Sequence, residues 1–246
     1  MITIVAHRGW SGAAPENTMA AFELALKDPG IHYIELDVHL SKDGVPVVIH
    51  DHTLERTTNG NGPVEAYTYE ELRELDAGSW FDAAFEGERI PSLEEVFEFT
   101  RGRCKLAVEL KTMGGNYEGI EEKVLALVER FEMKDQVVLS SFDHDSMKKA
   151  HDIDPSVVTG LIIFGKPTLI WEQLVYTGAT SISIDHRFAT SALIEEMEAR
   201  GIDIGVWTVD KPEVLARIVA AHPNVRITTN YPDRLLQLTR QQPAAL

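Results

Sequence analysis

Tyr33-Ile34-Glu35-Leu36-Asp37-Val38-His39-Leu40 decides how this chain folds. It reads as a strand, and strand side chains alternate faces. Leu36 and Val38 therefore point one way, and Glu35 and Asp37 the other. A strand of this kind inside a barrel is buried on both faces. Two carboxylates aimed at a barrel interior cost several kcal/mol unless they are paired or hold a metal. The stretch Glu109-Leu110-Lys111 repeats the arrangement, with Glu109 and Lys111 on one face and Leu110 on the other.

On either side of this strand, short β-branched runs alternate with amphipathic ones. Strands are expected at 2–6, 33–40, 105–110, 136–140, 157–163, 181–184, 204–209 and 225–228. Helical patterns fall at 18–26, 93–100, 120–131, 143–152, 167–176, 191–200, 212–222 and 232–240. Repeated βα units imply a parallel sheet, and this many in one chain point to a closed TIM (β/α)8 barrel. An open doubly wound sheet is the alternative, but it would gather its polar groups at one crevice. Here they lie on nearly every strand. Residues from about Asp51 to Pro91 break the rhythm with Thr, Asn, Gly and Glu, apart from a short helical pattern at 69–75. Tyr67, Trp80, Phe81 and Phe85 are too many aromatics for a disordered tether, so this is a small insertion between the second strand and second helix. Residues 1–246 are then one catalytic barrel domain.

The chain has 246 residues and a net charge of −16. That field opposes nucleic acid and anionic membrane surfaces, so neither a nucleic-acid partner nor a stable membrane association is expected. A phosphate could be held only where positive charge is gathered locally. Cys104 is the sole cysteine, which rules out an intrachain disulfide and reads as a small packed residue. The start Met1-Ile2-Thr3-Ile4-Val5 lacks the basic and long apolar parts of a signal peptide, and no run is long enough to span a membrane. The expected location is cytoplasmic.

Register between neighbouring strands would bring Glu35, Asp37 and Glu109 together. Three carboxylates form an all-oxygen site suited to Mg2+ or Ca2+; the plainer reading is an ion-pair cluster neutralised by Lys111. The first strand ends in His7-Arg8-Gly9, at the end of a barrel strand where active sites lie. Arg8 can grip a phosphate with a bidentate fork, and His7 can move a proton near neutral pH. His50 follows Val47-Val48-Ile49, so two histidines flank the carboxylates, as an acid–base pair around a phosphoryl centre would. In Pro15-Glu16-Asn17-Thr18, Asn17 or Thr18 caps the first helix, and Glu16 either belongs to that cap or orients a histidine or metal. Phe142 and Trp207 are core or a substrate wall. His39 shares the parity of Asp37 but falls beyond the site, and the role of His52 stays open.

Together these pieces resemble the glycerophosphodiester phosphodiesterase family. The match runs through His7-Arg8-Gly9, Pro15-Glu16-Asn17-Thr18, Glu35-Leu36-Asp37-Val38, Asp43-Gly44, Val47-Val48-Ile49-His50-Asp51, Glu109-Leu110-Lys111, Ser141-Phe142, Val206-Trp207-Thr208-Val209 and Pro232-Asp233. The resemblance implies a TIM barrel and one divalent cation on Glu35, Asp37 and Glu109. It also implies His7 and His50 as acid and base in an unassigned order, Arg8 and Lys111 near the phosphate, and a small glycerophosphodiester as substrate. Ser41 stands where a Thr is usual, and Thr229-Asn230 where the family often has Thr-Asp. Neither departure is expected to touch the catalytic set. Rival readings are a lysophospholipase D-like enzyme, a metal-dependent barrel isomerase or aldolase, and a non-catalytic binding protein.

Overall fold

A computed structural model describes residues 2–241; Met1 and residues 242–246 of the expected domain lie outside the described part. Strand β1 (Thr3–Ala6) pairs in parallel with both β2 (Tyr33–Leu40) and β9 (Arg226–Thr229). From β2 the parallel pairing continues through β4 (Lys105–Leu110), β5 (Val137–Ser141), β6 (Val158–Ile163), β7 (Ser181–Asp185) and β8 (Asp203–Trp207) back to β9. The sheet therefore closes on itself as an eight-stranded TIM barrel, with no open switch point.

The helices that wrap it are α1 (Met19–Leu26), α3 (Leu93–Thr100), α4 (Ile120–Arg130), α5 (His144–Ile153), α6 (Ile170–Thr177), α7 (Ser191–Ala199), α8 (Pro212–Ala221) and α9 (Pro232–Gln241). One parity of every strand builds the main core against them: Ile34, Leu36 and Val38 of β2 pack with Leu106, Val108 and Leu110 of β4 and onward around the barrel. Each such side chain contributes about 1.5–3 kcal/mol on burial. Local signals place the helix starts. Thr18 accepts a hydrogen bond from the Ala21 N–H, and Ser92 and Glu95 form a reciprocal capping box on α3.

The short run expected at 45–49 contains β3 (Pro46–Val48), which pairs antiparallel to the far end of β2. Since β1 stops at Ala6, the edge of β2 beyond it is free to take this strand. The insertion that follows carries α2 (Tyr69–Arg73) and packs a core of its own from Val47, Ile49, Leu54, Val64, Leu72, Ala77 and Ile90. Among the described residues, no helix is long and apolar enough to cross a membrane.

The other strand parity fills the barrel lumen. On β4 to β8 it is mostly small, with Ala107, Ser140, Gly160, Ser181, Ser183 and Gly205 beside Val138 and Ile162. This leaves a cavity of about 160 Å³ running down from the mouth. Arg226 floors it, ion-paired to Asp203 at 2.8 Å and hydrogen-bonded to the Ser181 hydroxyl.

Candidate active site

Parallel register sets Asp37 directly beside Glu109, and strand parity adds Glu35. One oxygen from each of Glu35, Asp37 and Glu109 lies within 4.8 Å of the others. Burial raises Glu35 well above the ordinary carboxyl range, and the neighbouring charges of Asp37 and Glu109 add to that. Burial likewise lifts Glu109 to about 7, with the Asp37 charge reinforcing it. Asp37 moves the other way. Burial alone would raise it, but Arg8, Lys111, His50 and the Asn17 amide outweigh that and hold it at about 2. Its Oδ1 is buried with no hydrogen-bond donor. A clustered all-oxygen donor set with an orphaned oxygen fits a hard divalent cation.

Two cations border the cluster. Lys111 Nζ donates to Glu109 Oε1 at 2.8 Å and stands 3.5 Å from Asp37 Oδ1. The Arg8 backbone N–H donates to Glu35 Oε2 at 2.8 Å, and its Nε lies 3.3 Å from Asp37 Oδ2, out of line for a hydrogen bond. The chain turns sharply to achieve this. Arg8 has φ +55° and Gly9 φ +78°, and a Cβ on Gly9 would sit 2.7 Å from the Ala21 backbone. A left-handed arginine costs of order 1–3 kcal/mol and persists only where its surroundings over-determine it. Asn17, also left-handed at φ +58°, donates through Nδ2 to Asp37 Oδ2 at 2.8 Å.

Of the two expected roles for Glu16 neither is direct: Thr18 makes the cap, and Glu16 contacts neither a histidine nor the carboxylate cluster. Its Oε1 accepts from Arg8 Nη1 at 2.8 Å, and both its oxygens accept from Arg56. Arg56, in the insertion, also donates to both oxygens of Asp51, at 2.6 and 3.0 Å, and Asp51 Oδ1 lies 2.6 Å from His50 Nδ1. A continuous chain of charges thus runs from His50 through Asp51, Arg56 and Glu16 to Arg8.

His50 is held from a second direction. The His39 Nε2–H donates to the His50 carbonyl at 3.0 Å, and the Tyr117 hydroxyl donates to His39 Nδ1 at 2.9 Å. His39 is fully buried, and desolvation lowers it to about 4, so it is neutral and fits this single tautomer. His52 packs edge-on against it with ring centres 4.7 Å apart.

The expectation that Asn230 stays clear of the catalytic set is wrong. Its Oδ1 lies 2.7 Å from His7 Nδ1. Its Nδ2 donates to Asp210 Oδ2 at 2.7 Å, and this fixes which way the amide faces. Nδ1 of His7 therefore carries the hydrogen, and Nε2, 3.9 Å from Glu35, keeps its lone pair. Burial and the adjacent Arg8 lower His7 to about 4. The other departure does stay clear: Ser41 accepts from the Val45 N–H and closes the turn into β3. Phe142 and Trp207 meet edge to face at 5.6 Å on the opposite wall of the mouth.

Residues 7–234 match the glycerophosphoryl diester phosphodiesterase family. The chain belongs to this family. A glycerophosphodiester phosphodiesterase of Caldanaerobacter subterraneus is 38% identical, over 97% of this chain and 98% of its own length. A phosphodiesterase of Oleispira antarctica, solved in complex with the product sn-glycerol-3-phosphate, superposes with a TM-score of 0.91 at 29% identity, covering 97% of each chain. A glycerophosphodiester phosphodiesterase of Agrobacterium tumefaciens gives a TM-score of 0.83 at 36% identity, covering 96% of this chain and 100% of that one.

Proposed function

We propose that this family member hydrolyses glycerophosphodiesters to glycerol 3-phosphate and an alcohol, with one divalent cation, Mg2+ or Ca2+, on Glu35, Asp37 and Glu109. The observation that carries the reading is the meeting of those carboxylates with two imidazoles whose Nδ1 atoms are both engaged, leaving each Nε2 for chemistry. When bound, the cation offsets the carboxylate charge and that of the phosphoryl oxygens. Arg8 and Lys111 stabilise the rest of the charge that develops there.

The groups behind the two histidines support a division of labour between them. A neutral amide backs His7, and burial keeps it unprotonated, which suits the base that accepts a proton from the attacking hydroxyl. A carboxylate backs His50 and, with the Asp37 charge, offsets part of the burial that lowers its pKa, which suits the imidazolium that donates to the departing alkoxide. The attacking oxygen bonds to phosphorus, the bond from phosphorus to the alcohol oxygen breaks, and the proton from His50 completes the alcohol.

The test is a hydrolysis assay over a panel of glycerophosphodiesters, stripped with EDTA and then resupplied with Mg2+ or Ca2+. Turnover that returns with the cation is expected. Turnover that survives EDTA refutes the three-carboxylate site.

A further inference from the structure

Beside His50 the mouth opens into a cleft of about 410 Å³, bordered by Asp51, Lys111, Met113 and Phe142. Its outer wall is apolar and strongly exposed: Met113 is 64% accessible and Phe142 45%. Phe142 is backed by Trp207 at 5.6 Å, and Trp207 in turn by Phe164 at 6.2 Å, itself 62% accessible. Exposed apolar groups gathered at the rim of a polar site mark a surface that a ligand covers. Methionine beside an aromatic edge adapts to flexible hydrocarbon.

The charges in this cleft are all spent. Asp51 is bound by Arg56 and His50, and Glu109 by Lys111. Neither carboxylate that lines the cleft is left to meet an ammonium group, and Lys111 would repel one. By contrast, the lumen below the carboxylates presents the hydroxyls of Ser140, Ser183 and Thr228, which suit a polyol.

We propose that the cleft between Met113 and Phe142 receives the alcohol half of the diester, and that it selects an uncharged apolar alcohol. The proposal rests on the phosphodiesterase reading and deepens it. The alcohol oxygen departs next to His50, and the carbon chain behind it runs outward across Met113 and Phe142.

The experiment measures kcat/KM on synthetic glycerophosphate esters of ethanol, butanol, hexanol and choline, with Mg2+ supplied. Full burial of one methylene is worth roughly four-fold. With partial burial, the ethyl-to-hexyl rise across four methylenes is expected to be about ten-fold or more. Choline should do no better than ethanol. Met113→Ser and Phe142→Ala should each flatten the rise; Met113 is so exposed that its replacement leaves folding intact. Hydrolysis with a flat series, a preference for choline, or an unchanged slope in both variants overturns this proposal alone. No hydrolysis of any ester overturns the phosphodiesterase reading and this proposal with it.

Discussion

The barrel mouth has two unlike sides. Around β1, β2, β4 and the insertion it is a continuous lattice of charge, in which His50, Asp51, Arg56, Glu16, Arg8, Asp37, Lys111 and Glu109 each touch the next. Across β5 to β8 the pocket is lined by hydroxyls, glycine, aliphatic Val138 and Ile162 and aromatic rings, and the charge there is one local pair, Asp185 with Arg187, set against Phe164. The first side fixes angles and charges, because a hydrogen-bonded ion pair loses its strength when its geometry slips. The second side supplies area, and area tolerates small displacements. Substitutions should therefore be fatal on the first side and only retune activity on the second.

His50→Ala and His7→Ala should cost the most, at least about 10²-fold in kcat with unchanged circular dichroism. Near-normal turnover in either variant would remove that histidine from the chemistry. Any variant on the aromatic side that matched this loss would dissolve the contrast.

Arg56→Met comes next. It strips two carboxylates of their shared partner and frees both His50 and Arg8, so a kcat loss of about 10–100-fold is expected. Arg56→Lys should recover part of it, since one ammonium can reach one carboxylate but not fork to both. Equal losses for Met and Lys would show that the side chain matters only as bulk.

Asn230→Asp sits at the seam between the two sides and should have the smallest effect on the maximal rate. A carboxylate in place of the amide favours the imidazolium of His7. Its pKa then rises from about 4, and the neutral base appears only at higher pH. The acid limb of kcat/KM should move upward, and a profile that does not move would separate His7 from the rate.

Much of this was legible in the residues alone, for a physical reason. Strand parity is local, so Glu35 and Asp37 could be placed on one face from four consecutive letters, and β4 repeated the pattern. Asn230 was misplaced because its partner lies 223 residues away, a distance at which no periodicity speaks. Arg56 escaped notice because a lone arginine among Thr, Asn and Gly looks solvated until the fold shows both carboxylates in its grip. His39 shares the correct parity, yet its role depends on Tyr117, 78 residues on, in a loop with no regular pattern.

The insertion packs around its own small core, separate from that of the barrel. Regions with separate cores open with separate free energies. Arg56 rides on the smaller one, so the enzyme carries a weak link whose failure costs little of the overall helicity. On warming, catalysis should fade at a temperature set by those few insertion side chains, while the barrel that holds every proposed cation ligand is still intact.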